Sequence, residues 1–166
     1  MESDAHTGRM VAPTTDGEPI LQSEKREISM LVAREDVTIT RARYAADEPV
    51  AGPHVHTTHT DAFYVLEGEL TFEIGRESET VTVTSGGFVA VPPGVVHSLR
   101  NDGDLPARWL TIHAHDGGFA AFMRGVRDGV DVEWDMLPAL ADGGLPAGDA
   151  IVRAGGEAGR RPQPAA

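Results

Sequence analysis

The sequence predicts an all-β protein, folded as a sandwich or a closed barrel. Short runs of alternating apolar and polar residues recur along residues 28–115, and turns rich in Gly, Pro and Asp separate them. A chain of 166 residues is long enough for one domain with a buried core. It contains no cysteine, which excludes disulfides, thiolate metal ligands and a cysteine nucleophile.

The elements are expected in four successive segments. Residues 1–27 mix Pro, Gly, Thr and acidic residues without periodicity, which predicts an irregular arm. Residues 28–115 carry the strand pattern of the barrel. Residues 116–141 predict a helical segment, and residues 142–166 are rich in Gly, Ala and Pro, which predicts a flexible tail.

Within the barrel, strand alternation predicts which side chains point inward. The expected inward set is Leu70, Phe72, Ile74, Val81 and Val83. Residues 47–52 are rich in turn formers, which predicts a loop leading into the next strand.

The helical segment is expected to begin near Asp116, whose carboxylate is a plausible N-cap. An apolar stripe at helical spacing follows at Phe119, Phe122, Met123 and Val126. Residues 132–140 are interpreted as a second short helix interrupted by Pro138.

The formal net charge of −12 argues against a nucleic-acid partner, because phosphates would be repelled. The first residues lack a basic start followed by an apolar run, and no apolar stretch approaches the ~20 residues that span a bilayer. We therefore expect a cytoplasmic protein that binds neither nucleic acid nor membrane.

Four residues of the sequence are candidates for a functional site. His54 and His56 fall on the same side of an extended strand, because side chains alternate with period two. Asp61 follows, and a distant Gly- and Pro-rich segment delivers His97. Three imidazoles and a carboxylate are a ligand set that Fe, Mn, Ni, Co, Cu or Zn accepts, so the sequence predicts one divalent metal ion per chain.

At these residues the sequence resembles the cupin superfamily. His54 and His56 are followed by four residues, Asp61, six residues and Gly68, which is the spacing of the first cupin motif. The second motif is matched by a further set of residues at the family's intervals: Gly86, Pro92, Gly94, His97 and Asn101. There are two departures: the family's opening Gly falls at Glu48, and its ligand Glu is replaced by the shorter Asp61.

The resemblance covers roughly residues 28–126 and implies a double-stranded β-helix, or jelly roll, with a metal in its mouth. It further implies that Asp61 acts both as metal ligand and as catalytic base. His59 lies between His56 and Asp61 and is an alternative ligand, because strand parity does not separate it from Asp61. Only the family spacing favours Asp61.

For three further candidate pocket residues the sequence leaves two interpretations open. His113 lies on one face of the last strand, either as a substrate contact or as a hydrogen-bonded histidine at the rim. Tyr44 and Phe63 are candidate substrate contacts, with core packing as the alternative.

The region around both motifs looks like small cupins related to quercetin dioxygenase, which implies an oxidoreductase acting on a small oxygenated organic compound. Two other classes stay open: a non-catalytic ligand-binding or sensing protein, and a metal-dependent isomerase or epimerase that needs no O₂. A barrel of this size is expected to pair as a homodimer through sheet edges.

Overall fold

The computed structural model describes residues 16–75 and 77–139, together with the backbone of residues 151–153. The strands are β1 Glu18–Gln22, β2 Arg26–Ala33, β3 Thr38–Tyr44, β4 Glu48–Val55, β5 Thr60–Glu67, β6 Glu69–Ile74, β7 Glu79–Thr84, β8 Phe88–Val91, β9 His97–Asn101, β10 Ala107–Ala114, β11 Leu137–Pro138 and β12 Ile151–Arg153. The helix α1 spans Phe119–Asp128. No helix among the described residues is long and apolar enough to cross a membrane.

The strands form two facing antiparallel sheets. One sheet has the order β1-β2-β3-β10-β5-β8-β12, and the other has the order β11-β4-β9-β6-β7. Between β4 and β10 the chain passes repeatedly from one sheet to the other, which is the path of a jelly roll. The predicted double-stranded β-helix is confirmed.

The core lies between the two sheets, and its largest side chains are Trp109 and Phe72, which are almost fully buried. The predicted inward residues of β6 and β7 are all buried, from Leu70 to Val83. Gly68 makes the tight turn between β5 and β6 with a positive φ of 73°. A Cβ at Gly68 would lie 2.6 Å from the carbonyl oxygen of Pro106, so this turn requires glycine.

The predicted irregular arm is wrong for its last part. β1 pairs with β2, and Ile20 is buried against Met30 and α1. A strand of five residues that contains Pro19 shows too little alternation to be detected, and its order comes from tertiary packing. The arm's residues 1–15 lie outside the described part of the chain.

The predicted loop at residues 47–52 is also wrong, because β4 begins at Glu48. Turn-forming residues such as Pro49 and Gly52 are accommodated by two register shifts in the pairing of β4 with β9. The strand therefore bends before it delivers His54.

The predicted helix is confirmed over Phe119–Asp128, although its N-cap residue is Gly118 and not Asp116. Asp116 still satisfies the helix start, because its Oδ1 accepts a hydrogen bond of 2.9 Å from the Ala120 N–H. Its other carboxylate oxygen accepts from the Gly118 N–H at 3.0 Å.

The second short helix predicted for residues 132–140 is wrong. Residues 130–139, which we call the strap, form no helix. The chain bends at Asp135, and Leu137 and Pro138 pair with Val55 and His54 of β4. Proline favours this edge pairing over a helix interior. In the predicted flexible tail, Ile151–Arg153 forms β12 and pairs with β8; residues 140–150 and 154–166 lie outside the described residues.

Candidate metal centre

The four predicted ligands meet inside the barrel mouth. His54 and His97 are cross-strand partners on β4 and β9, His56 directly follows β4, and Asp61 is the second residue of β5. All four side chains are buried, with at most 7% of any residue exposed. Strand pairing therefore brings together residues up to 43 positions apart, from His54 to His97.

One oxygen of Asp61 is the centre of this cluster. Its Oδ2 lies 3.4 Å from Nε2 of His56 and 3.4 Å from Nε2 of His97. The imidazole rings of His54 and His97 are 4.2 Å apart between centroids. One potential ligand atom from each of the four residues lies within 4.8 Å of all the others, which is compact enough to surround a single ion.

Each of the three imidazoles is held by its Nδ1. His54 Nδ1 lies 2.7 Å from the carbonyl oxygen of Gly52, and His97 Nδ1 lies 3.0 Å from that of Val95. His56 Nδ1 lies 2.6 Å from the main-chain oxygen of Asp135. Because a carbonyl oxygen only accepts, each Nδ1 carries the proton, and each Nε2 keeps its lone pair directed at the cluster. This is how metal-binding histidines are oriented in proteins.

Burial and charge also prepare these groups for a cation. Burial lowers the pKa of His54 to about 4, and the neighbouring His97 adds to the effect. His54 is therefore neutral at physiological pH.

The cluster fits a metal ion on two counts. His56 Nε2 is buried without a hydrogen-bond partner in the described structure, and such an atom is costly unless something binds it. The donor set of three nitrogens and one carboxylate, with no thiolate, suits borderline divalent ions.

The structure places His59 beside the cluster, with both ring nitrogens engaged elsewhere. Its Nδ1 lies 2.8 Å from Oδ2 of Asp135, and its Nε2 lies 3.0 Å from Nδ1 of His113. His56, His59 and His113 form a second group with metal-compatible spacing, but the hydrogen bonds of His59 favour a supporting role. Burial lowers the pKa of His59 as well.

Asp135 of the strap fixes the loop that follows β4. Its Oδ1 accepts hydrogen bonds from the backbone N–H and the hydroxyl of Thr57, at 2.8 and 2.6 Å. Its Oδ2 accepts the same pair of bonds from Thr58, at 2.8 and 2.6 Å. Burial alone would raise the pKa of Asp135, but these donors hold it below its usual range. Asp135 was not predicted as a site residue, because it lies 79 residues after His56 within a segment interpreted as helix.

A cavity of about 340 Å³ opens above the cluster. His54, Asp61 and His113 lie at its polar end, and the predicted contacts Tyr44 and Phe63 line its wall. Strand pairing sets His113 directly opposite Asp61, and its side chain is almost fully buried.

The roof of the cavity is aromatic, and its main side chains are Phe119, Phe122 and Trp134. The Phe119 ring stacks on His113 with centroids 3.7 Å apart, and Phe122 stacks on Trp134 at 5.0 Å. α1 and the strap thus cover the mouth of the barrel with apolar surface. The strap's tryptophan was not identified from the sequence, because no pattern links it to the histidine motifs.

Two facing sheets enclose a buried group of histidines and a carboxylate, which is the arrangement that the cupin resemblance implies. Residues 40–113 match the model of the family described as "Cupin domain" (Cupin_2). This part of the chain is therefore similar to the cupin domain, and the resemblance seen in its motifs is confirmed.

Curated relatives match less than half of the chain. A germin-like protein, subfamily 2 member 2, of Arabidopsis thaliana is 36% identical over 80 residues, which are 45% of this chain and 35% of the relative. Quercetin 2,3-dioxygenase of Bacillus subtilis is 39% identical over 49 residues, or 30% of this chain and 14% of the enzyme. The chain thus spans about a third or less of the length of these relatives.

Among solved structures, a predicted oxalate decarboxylase of Thermotoga maritima superposes with a TM-score of 0.55 at 21% identity. The match covers 64% of this chain and 99% of that protein. At this identity the likeness supports the fold.

Proposed function

We propose that this protein is a metal-dependent oxidoreductase of the dioxygenase type, acting on a small oxygenated organic substrate. The observation that carries the proposal is the convergence of three imidazoles and Asp61 beneath a largely apolar cavity. The short match to quercetin 2,3-dioxygenase, over 49 residues, favours this reaction class.

In this proposal His54, His56, Asp61 and His97 hold one divalent ion per chain, of Fe, Mn, Ni, Co, Cu or Zn. Such an ion supplies Lewis acidity and, if redox-active, the capacity to exchange electrons with O₂. The two carboxylate oxygens of Asp61 have different roles in this proposal. Its Oδ2 faces the histidine nitrogens, whereas Oδ1 is turned toward His113 and is free to accept a proton from a substrate hydroxyl.

The cavity residues contribute binding and exclusion of water. Tyr44 and Phe63 offer aromatic surface on the wall, and Trp134 covers the entrance above the imidazoles. A dry site strengthens the electrostatic interactions of Asp61 with a bound ion or substrate.

A second candidate is a ligand-binding protein without turnover. The roof of stacked aromatic rings favours this alternative, because a covered apolar cavity also suits retention of a small molecule. An isomerase would use the same ligands without consuming O₂.

Oxygen uptake separates these functions. Metal-free protein is reconstituted with each ion and assayed with a panel of enediols and flavonols, using Asp61→Ala as the inactive variant and His115→Ala as the exposed control. We expect O₂ uptake that requires the ion and Asp61. Turnover without O₂ uptake would indicate the isomerase, and ligand binding without turnover would indicate the binding protein.

We also propose that the protein is a cytoplasmic homodimer. β7 is the outermost strand of its sheet in the described structure, and such an edge is suited to pairing with a second copy. Light scattering at micromolar concentration should give twice the mass of the chain; a monomeric mass would reject the dimer.

A further inference from the structure

Four polar side chains form a continuous row from the strap to the metal centre. Asp135 Oδ2 lies 2.8 Å from His59 Nδ1, and His59 Nε2 lies 3.0 Å from His113 Nδ1. The row ends where His113 Nε2 lies 3.6 Å from Oδ1 of Asp61. Carboxylates therefore stand at both ends, with two imidazoles between them.

The row has three contacts, and each needs an N–H group. Two neutral imidazoles supply only two such groups. The distances of 2.8 Å and 3.0 Å are hydrogen bonds, whereas 3.6 Å is too long for one. Because the Asp135 carboxylate only accepts, His59 uses its single N–H toward Asp135. His59 Nε2 is then an acceptor, and His113 must use its own N–H to reach it. His113 Nε2 is left with a lone pair that faces a carboxylate oxygen.

The two atoms at this last position are both buried and unpartnered in the described structure. Only 2% of His113 and 3% of Asp61 is exposed, and neither His113 Nε2 nor Asp61 Oδ1 has a hydrogen-bond partner. Two acceptors that face each other require a donor between them. Both residues line the cavity, so a bound molecule can supply that donor.

The rest of the cavity indicates the kind of molecule. Among its described lining residues Arg26 is the one permanently cationic side chain, and it is already paired with Glu48 at 2.6 Å. The remaining wall is mainly aliphatic and aromatic. In the metal-free protein, a carboxylate ligand would meet the charge of Asp61 without a free cation to compensate it.

From this geometry we propose that Asp61 Oδ1 and His113 Nε2 together bind the hydroxyl group of an uncharged, largely aromatic ligand whose ring occupies the apolar cavity. This inference rests on the proposed function and names the substrate class of the same site: a phenol or enol. The indole N–H of Trp134, which is also buried and unpartnered, favours a ligand oxygen that accepts as well as donates.

The test uses three probes of one shape: naphthol, methoxynaphthalene and naphthoate. Their affinities are measured by titration calorimetry on the metal-free full chain. We expect naphthol to bind about tenfold more tightly than methoxynaphthalene, which lacks the donor, and more tightly than the naphthoate anion.

The matched variants are His113→Phe and His115→Phe. His113→Phe keeps an aromatic ring against Phe119 but removes the acceptor, so the preference for naphthol should fall by about tenfold while methoxynaphthalene binding is retained. His115 is exposed, and its variant should behave as wild type.

Equal affinity for naphthol and methoxynaphthalene in the wild-type chain would overturn the inference, whether or not His113→Phe folds. An unchanged preference in folded His113→Phe would overturn it too. Because the protein is metal-free and no turnover is measured, these failures would leave the oxidoreductase proposal standing. Conversely, absence of O₂ uptake would leave the ligand class intact.

Discussion

The main-chain oxygen of Asp135 accepts a hydrogen bond from Nδ1 of His56 at 2.6 Å, across 79 positions of sequence. The other two imidazoles of the metal centre are held locally, by carbonyls two residues before His54 and His97. His56 is thus the member of the triad whose orientation depends on a distant segment. The strap is part of the metal centre as well as its cover.

Asp135→Ala should therefore weaken metal binding. The variant keeps its main-chain carbonyl but loses the bonds that anchor it to Thr57, Thr58 and His59, so the orientation of His56 is released. Loss of such outer support typically costs about 10–100-fold in metal affinity. Chelator competition with Zn²⁺ measures the change. The metal affinity of Asp135→Asn, which retains one acceptor oxygen, should lie between those of the wild type and Asp135→Ala. The control variant Asp131→Ala, at an exposed position, should bind metal as the wild type does. Equal affinity in all four proteins would refute the role of Asp135.

His59→Ala should leave metal occupancy close to the wild-type value. Both nitrogens of His59 are engaged, by Asp135 and by His113, and neither is directed at Oδ2 of Asp61. Metal content is compared in His59→Ala and His97→Ala after identical reconstitution. A loss in His59→Ala as large as in His97→Ala would make His59 a ligand.

The metal-free protein should lose stability as the pH falls from about 6.5 to about 4. Burial lowers the pKa of His113 to about 4, whereas in the unfolded chain the imidazole returns to its ordinary value of 6.5. Between these values the unfolded state binds more protons, so the free energy of unfolding rises with pH and falls on acidification. His54 contributes with the same sign.

Each such histidine contributes a slope of about 1.4 kcal/mol per pH unit within this window. Urea unfolding at a series of pH values measures the slope, and His113→Phe should reduce it while His115→Phe should not. A free energy of unfolding that is constant across the window would contradict the neutral, buried state of His113.

Gly117→Ala should destabilise the protein by pressing on His59, and Gly75→Ala is the matched control variant. Both glycines have positive φ, of 60° and 77°, so alanine is strained at either position by about 1 kcal/mol. A Cβ at Gly117 would also lie 2.5 Å from His59 Nδ1, whereas a Cβ at Gly75 meets no atom within 4 Å. Thermal unfolding should therefore show a larger loss for Gly117→Ala. Equal losses of thermal stability in the two variants would mean that the His59 side chain moves aside at no energetic cost.

The parts of the structure that were predictable follow from local periodicity. The same-side placement of His54 and His56 follows from strand alternation, and the buried face of β6 does too. The approach of Asp61 and His97 was supplied by the spacing of the cupin motifs. Such signals lie within single strands or within a repeated family pattern.

The strap and β1 could not be predicted in this way. β1 owes its order to pairing with β2 and to contacts of Ile20 with α1, and the strap owes its path to pairing with β4 and to the bonds of Asp135. Tertiary contacts override weak local preferences in both segments. Asp135 and Trp134 carry no spacing relationship to the histidines, so their place in the site emerged only from the fold.

Elemental analysis of the untagged full chain tests the central claim most directly, with His54→Ala/His97→Ala as the ligand-deficient protein and His115→Ala as the exposed control. The proposed centre predicts about one equivalent of a divalent ion per chain in the wild type and in His115→Ala, and almost none in the double variant. Equal metal content in all three proteins, or none in the wild type after reconstitution, would contradict the metal centre.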